Sequence, residues 1–155
     1  MRYRDRIFDD RRHDPYQARH RYAEPSVCEG CGVVMHHGHW AWGTAPAGAA
    51  TVRCPACLRI ADGLAAGTLV LDGVFFSEHR ADILGLVENV AKREREEHPL
   101  HRTMRIEDRG HQTVIETTDI HLPQRIGEAL KSAYHGTLEL HYAKDEYQVR
   151  AHWHR

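Results

Sequence analysis

The sequence predicts an α+β protein in which a small N-terminal ribbon, held by four cysteines, precedes an antiparallel sheet packed on one or two helices. Three observations lead there. Two Cys-x-x-Cys knuckles, Cys28/Cys31 and Cys54/Cys57, flank a loop rich in Gly, Ala and Pro. Two later segments repeat apolar residues at three- and four-residue steps, the pattern of a helix with one buried face. Around them, apolar and polar residues alternate, as they do in strands with one face in a core.

Taken in order, residues 1–24 hold few apolar groups, no clear period and Pro15, which predicts a flexible Arg-rich arm; residues 1–23 carry seven Arg and four Asp. The cysteine ribbon spans 25–66, and residues 67–155 form the α+β domain. Thr68 to Leu71 and Val74 to Phe76 read as two short strands joined by an Asp72-Gly73 hairpin turn. Ser77 is placed to cap a helix over 78–97, whose apolar face is Ile83, Leu84, Val87, Val90 and Ala91. Its last two turns, Lys92 to Glu97, are charged all round and predicted to stand in water, with Pro99 ending the helix.

A strand, strand, helix, strand, strand unit follows. Met104 and Ile106 alternate with charged neighbours, Arg109-Gly110 turns the chain, and Thr113 to Thr118 returns. Asp119 can cap a helix with the stripe Leu122, Ile126, Ala129, Leu130 and Ala133, closed by Gly136. Leu138, Leu140 and Tyr142 then alternate with polar residues, as do Tyr147, Val149, Ala151 and Trp153.

Composition narrows the function. At 155 residues and 17.8 kDa the chain fits one ordinary domain or two small ones. No apolar run approaches the roughly 18 to 20 residues that cross a bilayer, and the first residues are charged where a signal peptide is apolar. The expected compartment is the cytoplasm, where paired Cys-x-x-Cys motifs point to metal or redox chemistry rather than disulfides. Net charge is -1, which supplies no global field for phosphate. Arg outnumbers Lys 18 to 3, a bias that suits bidentate contacts with phosphate or carboxylate and that GC-rich coding would equally produce.

The two residues inside each knuckle let both sulfurs converge on one ion, at about 2.3 Å for zinc. Between Cys31 and Cys54 lie 22 residues, enough for an arm and its return, as in a zinc ribbon. One Zn2+ per chain, held by Cys28, Cys31, Cys54 and Cys57, is the expected cofactor; iron in the same sulfur geometry is the alternative. Four thiolates close the shell, so the ion is expected to be structural and not to hydrolyse a substrate.

Between the knuckles, His36, His37 and His39 read either as a second metal site or as polar residues of a solvent-facing strand. Trp40 and Trp42, two apart, share one face of a strand. That face either packs the ribbon onto the rest of the chain or offers a platform on which bases stack. No phosphate-gripping Gly-rich loop, nucleophile elbow or His-Glu-x-x-His helix is present, and the metal uses all four cysteines. The chain is therefore expected to be no enzyme and to take no small-molecule substrate.

The runs 13–43 (HDPYQARHRYAEPSVCEGCGVVMHHGHWAWG), 52–63 (VRCPACLRIADG), 78–108 and 117–142 together resemble the small bacterial relatives of the nonsense-mediated-decay protein three family, the large ribosomal subunit export adaptors. The resemblance implies a connection with RNA or ribosomes. Only Cys28, Cys31, Cys54 and Cys57 carry over residue by residue. The eukaryotic adaptor has more knuckles, so the implication does not extend to export. The sequence thus leads to a non-enzymatic zinc protein with ribosomal RNA or a ribosomal particle as partner, through Arg2, Arg4, Arg6, Arg11, Arg12, Trp40, Trp42 and Arg53. The alternative is a zinc-stabilised protein–protein interaction module.

Overall fold

The computed structural model describes residues 14–19 and 22–155. Among them are two mixed sheets and five α-helices, an α+β arrangement. The first sheet has the order β3-β2-β1-β4, from β1 (Ser26–Cys28), β2 (Val34–His36), β3 (His39–Ala41) and β4 (Ala50–Val52). β1 runs antiparallel to β2 and parallel to β4. Helix α2 (Pro55–Asp62) follows β4 almost at once. Residues 14–19, read from sequence as arm, are fastened to it: α1 (Pro15–Arg19) is preceded by Asp14, whose carboxylate meets the Arg59 guanidinium at 2.9 Å in a buried ion pair. The Tyr16 hydroxyl also donates to Asp62, at 2.7 Å.

The second sheet corrects the antiparallel prediction. Its order is β6-β7-β5-β9-β8, from β5 (Gly67–Asp72), β6 (Thr103–Arg109), β7 (Gln112–Thr117), β8 (Thr137–Tyr142) and β9 (Val149–His154). β5 lies in the middle, antiparallel to β7 and parallel to β9. The predicted hairpin 68–76 does not form. Gly73, at φ 110°, turns the chain off the sheet, and Val74 to Phe76 open a short helix, α3 (Val74–Glu78). The Phe76 N–H then bonds the Arg155 carbonyl, while Phe76 itself is buried. The partner β5 finds lies far along the chain, where no local pattern reveals it.

Ser77 sits inside α3, and no side chain caps the next helix, α4 (Arg80–Glu97). Its predicted apolar face holds: Ile83 and Val87 are buried, and Leu84, Val90 and Ala91 pack beside them. Its last turns are not wholly in water, because Glu94 is buried against His101. Helix α5 (His121–Tyr134) is capped as expected, the Asp119 carboxylate accepting from the N–H groups of His121 and Leu122 at 2.8 and 3.0 Å. Its buried stripe includes Gly127 and leaves Ala133 exposed, because the helix presses closely on Leu138 of β8.

The main core lies between one face of this sheet and helices α4 and α5: Leu69, Leu71, Ile83, Val87, Ile115, Leu122, Ile126, Leu130 and Trp153. Trp153 is fully buried, and its indole N–H is satisfied by the His135 carbonyl at 2.8 Å. Among the described residues, no helix is long and apolar enough to cross a membrane.

Gly67 marks where β5 meets the turn into α5. A Cβ there would stand 2.2 Å from Thr117 Oγ1 and 2.6 Å from the Asp119 carbonyl oxygen. Gly67→Ala is expected to cost at least the roughly 1–3 kcal/mol typical of overpacking, read as a lowered midpoint in urea unfolding with an unchanged slope.

Candidate metal centre

The pairing of β1 with β4 places Cys28 in register with Val52, two residues before Cys54. That contact lays the two knuckles side by side. Cys54 holds the N-cap position of α2, with Pro55 in the first turn, and its sulfur accepts from the Cys57 N–H at 3.4 Å. Cys57, one turn along, is thereby aimed back at its partners. The Cys28 sulfur accepts from the N–H groups of Gly30 at 3.4 Å and Cys54 at 3.3 Å.

The four sulfurs lie within 4.8 Å of one another, with Cys28–Cys57 at 3.7 Å and Cys31–Cys54 at 3.8 Å. A tetrahedron with metal–sulfur bonds of about 2.3 Å has edges of about 3.8 Å. The donor set therefore fits one tetrahedral ion, and four protein sulfurs leave that ion no open position.

Burial opposes charge here. It pushes the Cys54 thiol upward, against the Cys57 N–H and the field of Arg102, and pushes Cys57 the same way against a hydrogen bond from Arg102. At Cys28 burial is overcome by backbone N–H groups, chiefly that of Cys54, which bring the thiol down to about 6. Positive charge nearby is what lets such a cluster ionise.

Part of that charge is Arg102, which sequence reading missed. Its Nη2 donates to Cys31 at 2.8 Å and approaches Cys54 at 3.6 Å, while Nη1 donates to Cys57 at 3.3 Å. Arg102 stands just before β6 of the larger sheet and is itself buried. Its Nε donates to the Pro99 carbonyl, and its own N–H is accepted by the Thr118 hydroxyl. Its sulfur partners lie 45 to 71 residues away, so nothing local in the sequence marks it.

Both tryptophans make contacts within the chain, although Trp42 stays 38% exposed. Trp40 packs over the cysteine cluster and meets Tyr22 edge-on at 4.8 Å. Trp42 lies past the end of β3; its indole N–H donates to the Arg95 carbonyl of α4 at 2.8 Å, and the Arg95 and Arg102 guanidinium groups lie over its ring. Arg53 stands exposed, 3.8 Å from Glu29. His36, His37 and His39 are exposed and do not converge as a metal-ligating group among the described residues. Arg2, Arg4, Arg6, Arg11 and Arg12 lie outside the described residues.

Beside the centre, Glu94, His101 and Asp119 form a second polar group in the seam between the cysteine cluster and the larger sheet. His101 Nδ1 stands 3.1 Å from Glu94 Oε1 and 3.5 Å from Asp119 Oδ2. A cleft of about 370 Å³ opens there, lined by His39, Trp40, His98, His101 and Asp119 among others.

No family model, curated protein or solved structure matches this chain.

Replacing Arg102 leaves the sulfurs without their guanidinium. Arg102→Ala is expected to weaken metal binding about 10- to 100-fold, the usual effect of losing a partner of a ligating group, measured by competition with a chromophoric chelator. Arg102→Lys restores the charge without reaching three sulfurs, so it should recover only part of the loss. The Glu94 carboxyl is held below the ordinary range by its hydrogen bond from His101, against the opposing effect of burial. Its ionised form therefore stabilises the fold above the ordinary carboxylate value, and that contribution is lost as pH falls through the lower folded value. Glu94→Gln should lower stability by about 1.5–3 kcal/mol at pH 7 and by much less in acid, seen as a flattened acid limb in Tm against pH.

Proposed function

We propose that this chain is a non-enzymatic binding protein in which one zinc ion, held by Cys28, Cys31, Cys54 and Cys57, serves as a structural joint. The observation that carries the reading is Arg102, a side chain of the α+β unit that donates to sulfurs of the cysteine cluster. An ion so placed organises the small sheet and fixes it against the larger one. The first unit's buried apolar cluster consists of little more than Val33, Ala56 and the cysteines themselves, so the metal replaces the core that this unit lacks.

Ribosomal RNA, or a ribosomal particle, is the proposed partner. Support comes from the resemblance in the sequence and from the arginines at 2, 4, 6, 11 and 12. Trp40 is taken up against the cysteine cluster, which leaves the exposed part of Trp42 for base stacking, while the phosphate contacts would fall to the arginines of that arm together with Arg53. A second reading, a protein-interaction module, is favoured by charge: outside residues 1–13 and 20–21 the chain carries 15 basic and 19 acidic residues. An acidic body repels phosphate.

Purified protein is expected to carry one zinc per chain. Its removal by chelation should unfold the first sheet while leaving the core around Trp153 intact, since structural zinc contributes on the order of 10–16 kcal/mol in small modules near neutral pH. Side-chain NMR read separately for the two units tests this. Zinc-loaded protein is expected to sediment with ribosomal fractions at low salt and to be released by nuclease or by raised salt. Capture of one protein partner that survives both treatments would replace RNA with the second reading.

A further inference from the structure

A second group of ligand-type side chains gathers on the opposite side of the larger sheet. Along β5 and β9, Leu69, Leu71, Ala151 and Trp153 point into the core. The alternate residues Asp72, His152 and His154 therefore share the other face. The parallel register sets Asp72 directly beside His154, with His152 two residues back on the same strand. Both imidazoles turn onto one carboxylate oxygen: His152 Nε2 lies 2.8 Å and His154 Nδ1 2.6 Å from Asp72 Oδ1. From the strand on the far side of β5, Gln112 Nε2 donates to Asp72 Oδ2 at 2.9 Å and fixes the plane of the carboxylate. The three ligand atoms all lie within 4.8 Å of one another.

We propose that Asp72, His152 and His154 form a second metal site, which takes an exchangeable divalent transition-metal ion. Two imidazoles and one carboxylate are the donor set that borderline ions such as zinc, iron(II), cobalt and nickel accept. Ligand bonds of about 2.0–2.2 Å separate neighbouring donors by roughly 3–3.4 Å. The two imidazole nitrogens, now 2.8 and 2.6 Å from the carboxylate oxygen, must therefore move away from it by under an ångström. The His152 and His154 side chains are 39% and 59% exposed, so their rings are free to make that movement. On binding, the proton that each ring now directs at Asp72 shifts to the nitrogen turned away from the ion, or is released if the ring is charged, and the carboxylate exchanges two N–H donors for one cation.

The site differs from the cysteine cluster in the way that matters chemically. Three protein ligands on an open sheet face leave positions for water or for a ligand brought by a partner. The ion is thus held more loosely than one enclosed by four sulfurs and can exchange while the other stays. The two groups share no residue.

Equilibrium dialysis of the zinc-loaded full chain against micromolar cobalt(II), followed by elemental analysis, tests the assignment. The expected result is one zinc and one cobalt per chain, with paramagnetically shifted proton signals from two imidazoles. In His152→Gln and His154→Gln, both at partly exposed positions, cobalt should fall at least tenfold while zinc and the far-ultraviolet circular dichroism stay unchanged. The proposal is overturned if the wild-type chain retains no cobalt. It is equally overturned if cobalt persists when both histidines are replaced, or if it is lost only on replacing His36, His37 and His39.

Discussion

Four sulfur atoms lie within 4.8 Å of one another, and burial drives the thiols of Cys54 and Cys57 away from ionisation. Packing thiolates this closely out of water is tolerable only if positive charge is packed with them. A tetrahedral cation held by the four sulfurs would supply most of it. The Arg102 guanidinium supplies the rest, reaching three of the four sulfurs from a neighbouring element. Arg102 is in turn fixed by the Pro99 carbonyl and the Thr118 hydroxyl, which belong to the same seam as Asp119 and the start of α5. The charge requirement of the cluster thus reaches from the first sheet into the second.

The seam is reinforced by contacts that have nothing to do with charge on sulfur. Trp42 bonds the Arg95 carbonyl of α4 and lies under two guanidinium groups. Leu100 packs against the cysteine cluster from the same side. Each interaction joins residues far apart in sequence, so the ribbon is held by the rest of the chain as much as by its own strands.

The parts of this arrangement written in local pattern were legible in the sequence. The spacing of Cys28, Cys31, Cys54 and Cys57 led to one convergent cluster, and the three- and four-residue periods led to α4 and α5. The Asp119 cap followed from a single side chain before an apolar stripe. What escaped was non-local. Asp72-Gly73 has the chemistry of a hairpin turn, yet β5 pairs with β7 and β9, so the turn residue instead leads off the sheet into α3. Glu94 looked like one more solvated charge in a charged helix end, because its partner His101 lies beyond the helix terminus. Arg102 carried no mark at all. His152 is one of the polar residues that alternate with Val149, Ala151 and Trp153, and His154 lies one step beyond them; only the register with Asp72 gives them chemistry.

The central place of β5 has a consequence for how the chain matures. Its parallel neighbour supplies His152, 80 positions after Asp72. On a ribosome adding about 5 to 20 residues per second, that interval lasts roughly 4 to 16 seconds. Through that time the nascent chain has the strand that must become the middle of a sheet, but not the neighbour that will cover its open side. Unpaired strand edges invite association with other chains. The first sheet and its cysteine cluster take their contacts from Arg95, Leu100 and Arg102, the last fixed by Thr118, and all of these are made before His152, so this end of the growing polypeptide can come to order while the other end is still being made.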